Sequence, residues 1–264
     1  MKALIKLGGT LLDAPELRAN LAGQIAAQAR RGIQITVVHG GGKQMTRYLA
    51  ERGIESRFVN GLRVTTAETM DAVLKVLAGS VNQELVAALI AAGVRAVGLS
   101  GVDGNLVEAE QMDPALGMVG RVKRAHPELL DLLISQRYLP VVGCVAGGPD
   151  GRMYNVNADQ MAAACAAAWR ADRLVFLTDI AGVLDAAGLV QPVLSAEECQ
   201  RLIATGVVTG GMQAKLNAAA AALDAGVDEI EIAPGASPDV LARLFDGELA
   251  GTKIVRAARV TSHD

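Results

Sequence analysis

Aromatic side chains are scarce in this chain, 3% of 264 residues with a single tryptophan. So few rings argue against a base-stacking platform or an aromatic sugar cleft. Cysteine and histidine are scarcer still. Cys144, Cys165 and Cys199 are odd in number and fit no metal-ligand spacing, so they read as small buried hydrophobes of a reducing compartment. His39, His126 and His263 lie far apart in sequence and suggest no zinc cluster. Net charge is small as well: 25 basic against 28 acidic residues leave −3, which excludes a strongly basic nucleic-acid binder. No uncharged run reaches the roughly 18 apolar residues of a membrane span. The first expected strand begins at Lys2, leaving no room for a signal peptide. The expectation is a cytoplasmic protein without nucleic-acid or membrane partners.

What is present is a 51% hydrophobic composition rich in Ala, Gly, Val and Leu, enough to bury a full core in one large domain or two lobes. Short β-rich runs at 2–7, 33–38, 94–99, 139–145, 173–178, 228–233 and 253–257 alternate with helical patterns. The helices are expected near 14–31, 43–52, 67–92, 126–137, 159–170, 195–204, 211–225 and 238–246. Several strands are nearly continuously apolar, as in a parallel sheet covered on both faces. This predicts a three-layer α/β/α sandwich. Residues 105–123 read as a β-hairpin excursion, and the turn signal Gly147-Gly148-Pro149-Asp150-Gly151 predicts a second hairpin within 144–157. A lobe boundary is expected around 170–173, dividing the chain into 1–172 and 173–264.

Two glycine turns close adjacent expected strands: Lys6-Leu7-Gly8-Gly9-Thr10 and His39-Gly40-Gly41-Gly42. At the carboxyl ends of parallel strands they lie where open α/β sheets bind ligands. Their bare N–H groups and the following helix N-termini suit an anion such as phosphate. Neither Walker-type nor dinucleotide-binding spacing is met: Gly42-Lys43 lacks the first glycine, and Met45 stands where a third glycine is needed.

Three more segments carry chemistry-bearing residues. Arg63, in Asn60-Gly61-Leu62-Arg63-Val64-Thr65, reads as a fork for a carboxylate or as a solvated loop charge. Asn157 or Asp159 either caps the Ala-rich helix that follows or serves catalysis. Lys215, in the expected first turn of the helix after Thr209-Gly210-Gly211-Met212, opposes the helix dipole and calls for a compensating anion.

Taken together, IKLGGTLL at 5–12, VVHGGGKQ at 37–44, NGLRVT at 60–65, RYLPVV at 137–142, NVNADQ at 155–160, LTDIAGVLD at 177–185 and TGGMQAKLNAA at 209–219 resemble the amino-acid kinase family over nearly the whole chain. The order of NGLRVT and NVNADQ is similar to the branch acting on N-acetyl-L-glutamate. The resemblance implies transfer of the γ-phosphoryl group of ATP to that substrate's side-chain carboxylate, a step of arginine biosynthesis, with Mg²⁺ bound mainly through the ATP phosphates. It implies that Lys6 and Lys215 bracket the migrating group and that Asp159 fixes both lysines. Gly8, Gly9, Gly41 and Gly42 would donate N–H groups to phosphate and carboxylate oxygens, and Arg63 and Asn155 would hold the α-carboxylate and acylamide. Asp179, Ile180, Ala181, Gly182, Val183, Leu184, Thr209, Gly210 and Met212 would line the nucleotide. The fold that the resemblance implies is a three-layer α/β/α sandwich with a mostly parallel sheet of about eight strands; the N-terminal lobe would bind the acyl-amino acid and form a homodimer, and the C-terminal lobe would hold ATP. With Met1 abutting the first strand, no helix precedes it to link dimers, so arginine feedback is not expected. Two other readings stay open: a kinase of the same fold acting on carrier-linked aminoadipate or glutamate, and a non-catalytic nucleotide-binding regulator.

Overall fold

A computed structural model describes residues 1–256. Its strands are β1 (Lys2–Leu7), β2 (Gln34–His39), β3 (Phe58–Val59), β4 (Leu62–Arg63), β5 (Ala96–Ser100), β6 (Val107–Gln111), β7 (Val119–Ala125), β8 (Leu139–Gly143), β9 (Val145–Gly147), β10 (Met153–Val156), β11 (Arg173–Thr178), β12 (Val193–Ser195), β13 (Glu229–Pro234) and β14 (Thr252–Val255). Eight of them form one sheet in the order β12-β14-β13-β11-β1-β2-β8-β5. It is parallel except that β14 runs antiparallel to β13, with β12 following β14. The expected fold class is therefore the observed one. Position 257, the end of the last expected strand, and His263 lie outside the described residues.

Strand periodicity divides the core. Leu4, Val38, Leu174, Phe176, Ile230 and Ile232 pack on one face, and Ile5, Leu7, Val37, Val175 and Leu177 on the other. The first face is covered by helices that include α6 (Glu128–Ser135), α7 (Ala158–Ala168), α8 (Ala196–Ala204) and α9 (Gly210–Asp224). The second is covered by α1 (Gly9–Asp13), α2 (Pro15–Arg30), α3 (Gly42–Ala50), a long helix Ala67–Ala91 that joins α4 (Ala67–Val73) to α5 (Asn82–Ala91), and α10 (Val240–Phe245). Lys6 shares the parity of Leu4 and so points at α7 and α9; His39 shares that of Val37 and points at the long helix. The alanine faces of α7 and α9 carry little side-chain bulk, which lets these helices pack directly on each other.

Five features differ from the sequence reading, the first being β12, which the expected strands do not include. The two expected hairpins exist, β6–β7 and β9–β10, but they join into a small closed barrel through parallel β7–β10 and β6–β9 pairs. β3 and β4 form an unforeseen hairpin whose turn, Asn60-Gly61, has positive φ at both residues, as a type I′ turn requires. Each strand is two residues long, too short for alternation to register. The expected helix over 67–92 contains a π-helical segment, Leu74–Val81. That long helix also has the length and hydropathy to cross a membrane, alone among the helices of the described residues, once two charges are tolerated in an 18-residue window. Val73, Val81, Leu85 and Leu89 explain the hydropathy otherwise, because they are buried in the core against the sheet.

Behind the first face sits Trp169, just past the end of α7 and fully buried. Its indole Nε1 donates to Asp131 Oδ1 at 3.0 Å, and Lys2 Nζ lies 5.1 Å from the ring centroid.

Candidate active site

The carboxyl ends of β1, β2 and β8 open into a cleft of about 240 Å³, walled on the far side by the β3–β4 hairpin and the barrel strand β10. Lys6, Gly9, Gly41, Gly42, Arg63, Asn155 and Asp159 all line it. At its floor Asp159 joins two lysines from different elements. Lys6 Nζ is 2.7 Å from Oδ1 and Lys215 Nζ 3.3 Å from Oδ2, with all three side chains largely buried. The alternative left open for the segment 155–159 resolves cleanly. Asn157 Oδ1 caps α7 by accepting from the N–H groups of Asp159 and Gln160, at 2.9 and 3.2 Å. Asp159 is thereby freed from capping. Lys215 stands in the second turn of α9 rather than the first, because the helix begins at Gly210. The anion it calls for is Asp159. Burial and the charge of Lys6 still hold the Lys215 ammonium below the usual lysine range.

The two glycine turns touch. A Cβ on Gly9 would come within 3.0 Å of Gly41 N and Cα and 2.9 Å of Gly42 N, so only glycine permits this approach. Gln44 Nε2 donates to Gly9 O at 3.1 Å and ties the turns together. Gly8 departs from expectation: its N–H donates to Leu177 O at 3.1 Å, as part of the sheet edge, and is not free for a phosphate. Among the described residues no hydrogen-bond acceptor meets the N–H groups of Gly9, Gly41 or Gly42. They stand at the first turns of α1 and α3, where the helix dipoles add partial positive charge.

Arg63 is buried at the other end of the cleft, not solvated. Nη2 donates to Thr46 Oγ1 at 2.8 Å and to Gly42 O at 3.2 Å, Nη1 donates to Ser56 Oγ, and the guanidinium lies over the Phe58 ring at 4.6 Å. Burial lowers its pKa from the ordinary value. No carboxylate pairs with it among the described residues, which leaves a desolvated cation facing an open cleft. Asn155 Nδ2 donates to Thr65 Oγ1 at 3.1 Å, leaving its carbonyl oxygen for a ligand. Thr46, Ser56, Phe58 and Gln44 were missed in the sequence; all lie within a few residues of the motifs that were read.

Asp179–Leu184 follows β11 at the carboxyl edge of the sheet. Val183 N–H donates to Thr252 Oγ1 at 2.8 Å and its side chain is core, so that end of the loop is fixed to β14. Ile180 and Leu184 remain exposed, and the charge of Asp179 reaches Lys215. Thr209 precedes α9 without capping it, so its hydroxyl and the first-turn N–H groups stand open beside Gly210, Gly211 and Met212.

A profile of the Amino acid kinase family matches residues 1–234. The chain belongs to the amino acid kinase family. Among relatives in this family, a protein of Solibacter usitatus named acetylglutamate kinase is 63% identical over 257 residues, 97% of this chain and all of that protein. One of the same name from Acidobacterium capsulatum is 46% identical over 94% of this chain and 98% of its own length. Among solved structures, N-acetylglutamate synthase from Neisseria gonorrhoeae, complexed with coenzyme A and N-acetyl-glutamate, superposes with a TM-score of 0.87 and 26% identity. That likeness covers 97% of this chain and 60% of the synthase. The amino acid kinase fold thus accounts for the sheet order, the paired glycine turns and the position of the cleft.

Proposed function

We propose that this chain phosphorylates the side-chain carboxylate of N-acetyl-L-glutamate with ATP, giving an acyl phosphate and ADP, in arginine biosynthesis. The observation that carries the reading is the cleft itself: an unpaired buried arginine at one end, the Lys6–Asp159–Lys215 group at the other, and free glycine N–H groups between. In this reading the substrate's α-carboxylate meets Arg63, its acylamide Asn155 and its side-chain carboxylate the N–H groups of Gly41 and Gly42. The full-length relatives named acetylglutamate kinase support the same substrate.

The nucleophile is already a carboxylate at neutral pH, so no general base is needed. One carboxylate oxygen attacks the γ-phosphorus in line, and the bond to the ADP oxygen breaks. Lys6, Lys215 and Gly9 face the charge spread over the transferring group, and Asp159 holds the two lysines in place without a reorganisation step. Exposed Ile180 and Leu184 suit an adenine ring, and the N-terminus of α9 with Thr209, Gly210 and Met212 suits its phosphates. Asp159 is occupied by both lysines, and no group of three His, Cys, Asp or Glu side chains gathers among the described residues. The donor set suits a Mg²⁺ ion carried by the nucleotide, which when bound would neutralise phosphate charge; Asp179, whose Oδ1 accepts from Thr178 Oγ1 at 3.2 Å, keeps its other oxygen for such an ion. In this reading residues 1–172 form the acyl-amino-acid lobe and 173–264 the nucleotide lobe, in a cytoplasmic homodimer. Light scattering on a sizing column checks the dimer; a monomeric mass would refute it.

ADP release measured with N-acetyl-L-glutamate, free glutamate and aminoadipate, with hydroxylamine trapping the acyl phosphate as a hydroxamate, tests the function. Turnover confined to N-acetyl-L-glutamate is expected. Turnover with aminoadipate alone, or none at all, would transfer the assignment to the carrier-linked or the non-catalytic reading.

A further inference from the structure

His39 ends β2 immediately before the glycines, yet its ring points away from the cleft, fully buried under the long helix. Its Nε2 lies 3.0 Å from Asn82 Nδ2, and the same amide nitrogen lies 3.0 Å from Val141 O and 3.4 Å from Leu99 O. Two carbonyl oxygens can only accept, so the NH₂ side of Asn82 faces them, one hydrogen serving Val141 O with the longer Leu99 O contact and the other facing Nε2, while Oδ1 is left buried without a partner. Nε2 is therefore an acceptor, and the ring proton resides on Nδ1. Nδ1 is 2.9 Å from Gly40 O, which makes it a donor to that carbonyl. The residue is pinned on its other side too, because Gly40 N–H donates to Leu7 O at 3.1 Å.

Gly40 O and the N–H of Gly41 belong to one peptide unit. The chain has no cis peptide among the described residues, so the two groups point in opposite directions. Drawing the carbonyl back toward His39 turns the Gly41 N–H forward into the cleft that Gly41 lines. Gly41 lacks the side chain that would resist a flip, so something else must fix the orientation. We infer that His39, held by Asn82, is a positioning residue that sets the Gly40–Gly41 peptide so that Gly41 N–H serves as an anion donor in the active site. The catalytic part of this inference rests on the function proposed above.

Supporting circumstances come from the surroundings. Burial pushes the His39 ring down to about 4, so it stays neutral at physiological pH. The titratable group packed nearest is Cys144, whose thiol donates to His39 O at 2.8 Å and is itself pushed up to about 12 by burial; Lys6 and Asp159 lie beyond it.

Two measurements test it. ¹⁵N spectra of histidine-labelled protein, with His126 and His263 assigned by substitution, are expected to show His39 protonated on Nδ1 alone and not titrating between about pH 5.5 and 8.5. An Nε2–H tautomer, or a ring titrating near its ordinary value, would overturn the inference. In kinetics, His39→Asn places an amide donor near the Nδ1 position, whereas His39→Gln places one near Nε2, toward Asn82. His39→Asn should keep kcat within about tenfold, and His39→Gln should lose on the order of 10²–10³, with the KM for ATP little changed in both. Equal kcat in the two folded variants would overturn the positioning role; should neither fold, the tautomer decides. Wild-type protein inactive on N-acetyl-L-glutamate would count against the proposed function, and the spectra would still report on the peptide.

Discussion

Replacing Asp159 by Asn changes one charge and almost no volume. The cap of α7 is untouched, since Asn157 bonds to the backbone of position 159 and not to its side chain. What is lost is the carboxylate that bridges Lys6 and Lys215, at 2.7 and 3.3 Å, in a site where Asp159 is 5% exposed. Removing one partner of a buried ion pair costs about 3–5 kcal/mol, because the remaining charge is left desolvated. For a chain of this size that corresponds to a fall in Tm of roughly 10 °C. The pH dependence has a definite sign. Lys215 already lies below the ordinary lysine range through burial and Lys6, and Asp159 is the group opposing that shift. Without it the folded-state pKa drops further below the unfolded one. The penalty is then complete below the folded pKa and is lost as pH rises toward the unfolded value, so the variant's deficit in stability should shrink at alkaline pH. Activity should move the other way: phosphoryl transfer needs charged lysines, so the alkaline limb of kcat should shift to lower pH, on top of a loss of about 10²–10³ in kcat. Denaturation curves and kcat profiles from about pH 6 to 10 read both effects. A wild-type kcat with an unmoved alkaline limb would refute the role assigned to the carboxylate.

Lys6→Ala and Lys215→Ala should each lower kcat by about 10²–10³ with smaller effects on either KM, measured by steady-state kinetics. Arg63→Lys should raise the KM for N-acetyl-L-glutamate by about 10- to 100-fold and leave that for ATP nearly unchanged, because an ammonium cannot reproduce a forked contact or lie flat on Phe58. Glu231 is buried beside Arg173 and held up to about 7 by desolvation, so its contribution to stability is complete below the ordinary carboxylate range and falls as pH rises through 7. Glu231→Gln should accordingly gain on the order of 2–3 kcal/mol over wild type at pH 8 and nothing near pH 4.5, read by denaturant titration.

The layered sheet was legible because its strands are buried on both faces and read as unbroken apolar runs; β11 was placed to the residue. The glycine turns were legible because only glycine tolerates their mutual approach, and a repeated glycine pair after a strand leaves a visible mark. β12 escaped notice, being three residues long and joined directly to the helix it precedes. The β3–β4 hairpin is marked in the sequence only by its Asn60-Gly61 turn, because strands of two residues carry no alternation. Gly8 was assigned to phosphate by its neighbourhood, but its N–H faces the sheet, a direction that composition and spacing do not encode. Nor does any local pattern pair Asn82 with His39, 43 positions apart, because that contact depends on which face of the sheet each strand residue takes.

Trp169 is the protein's single tryptophan, a fluorophore that can be excited apart from the three tyrosines, seated at the far end of the helix whose first turn carries Asp159. Ten residues of helix place the two ends about 15 Å apart, too far for a ligand in the cleft to quench the indole by contact. Any change of emission on adding nucleotide or acyl-amino acid would therefore report displacement of the helix as a body relative to Asp131 and Lys2. The same ring, dry in the folded chain and wet in the unfolded one, supplies an optical signal for unfolding that needs no label.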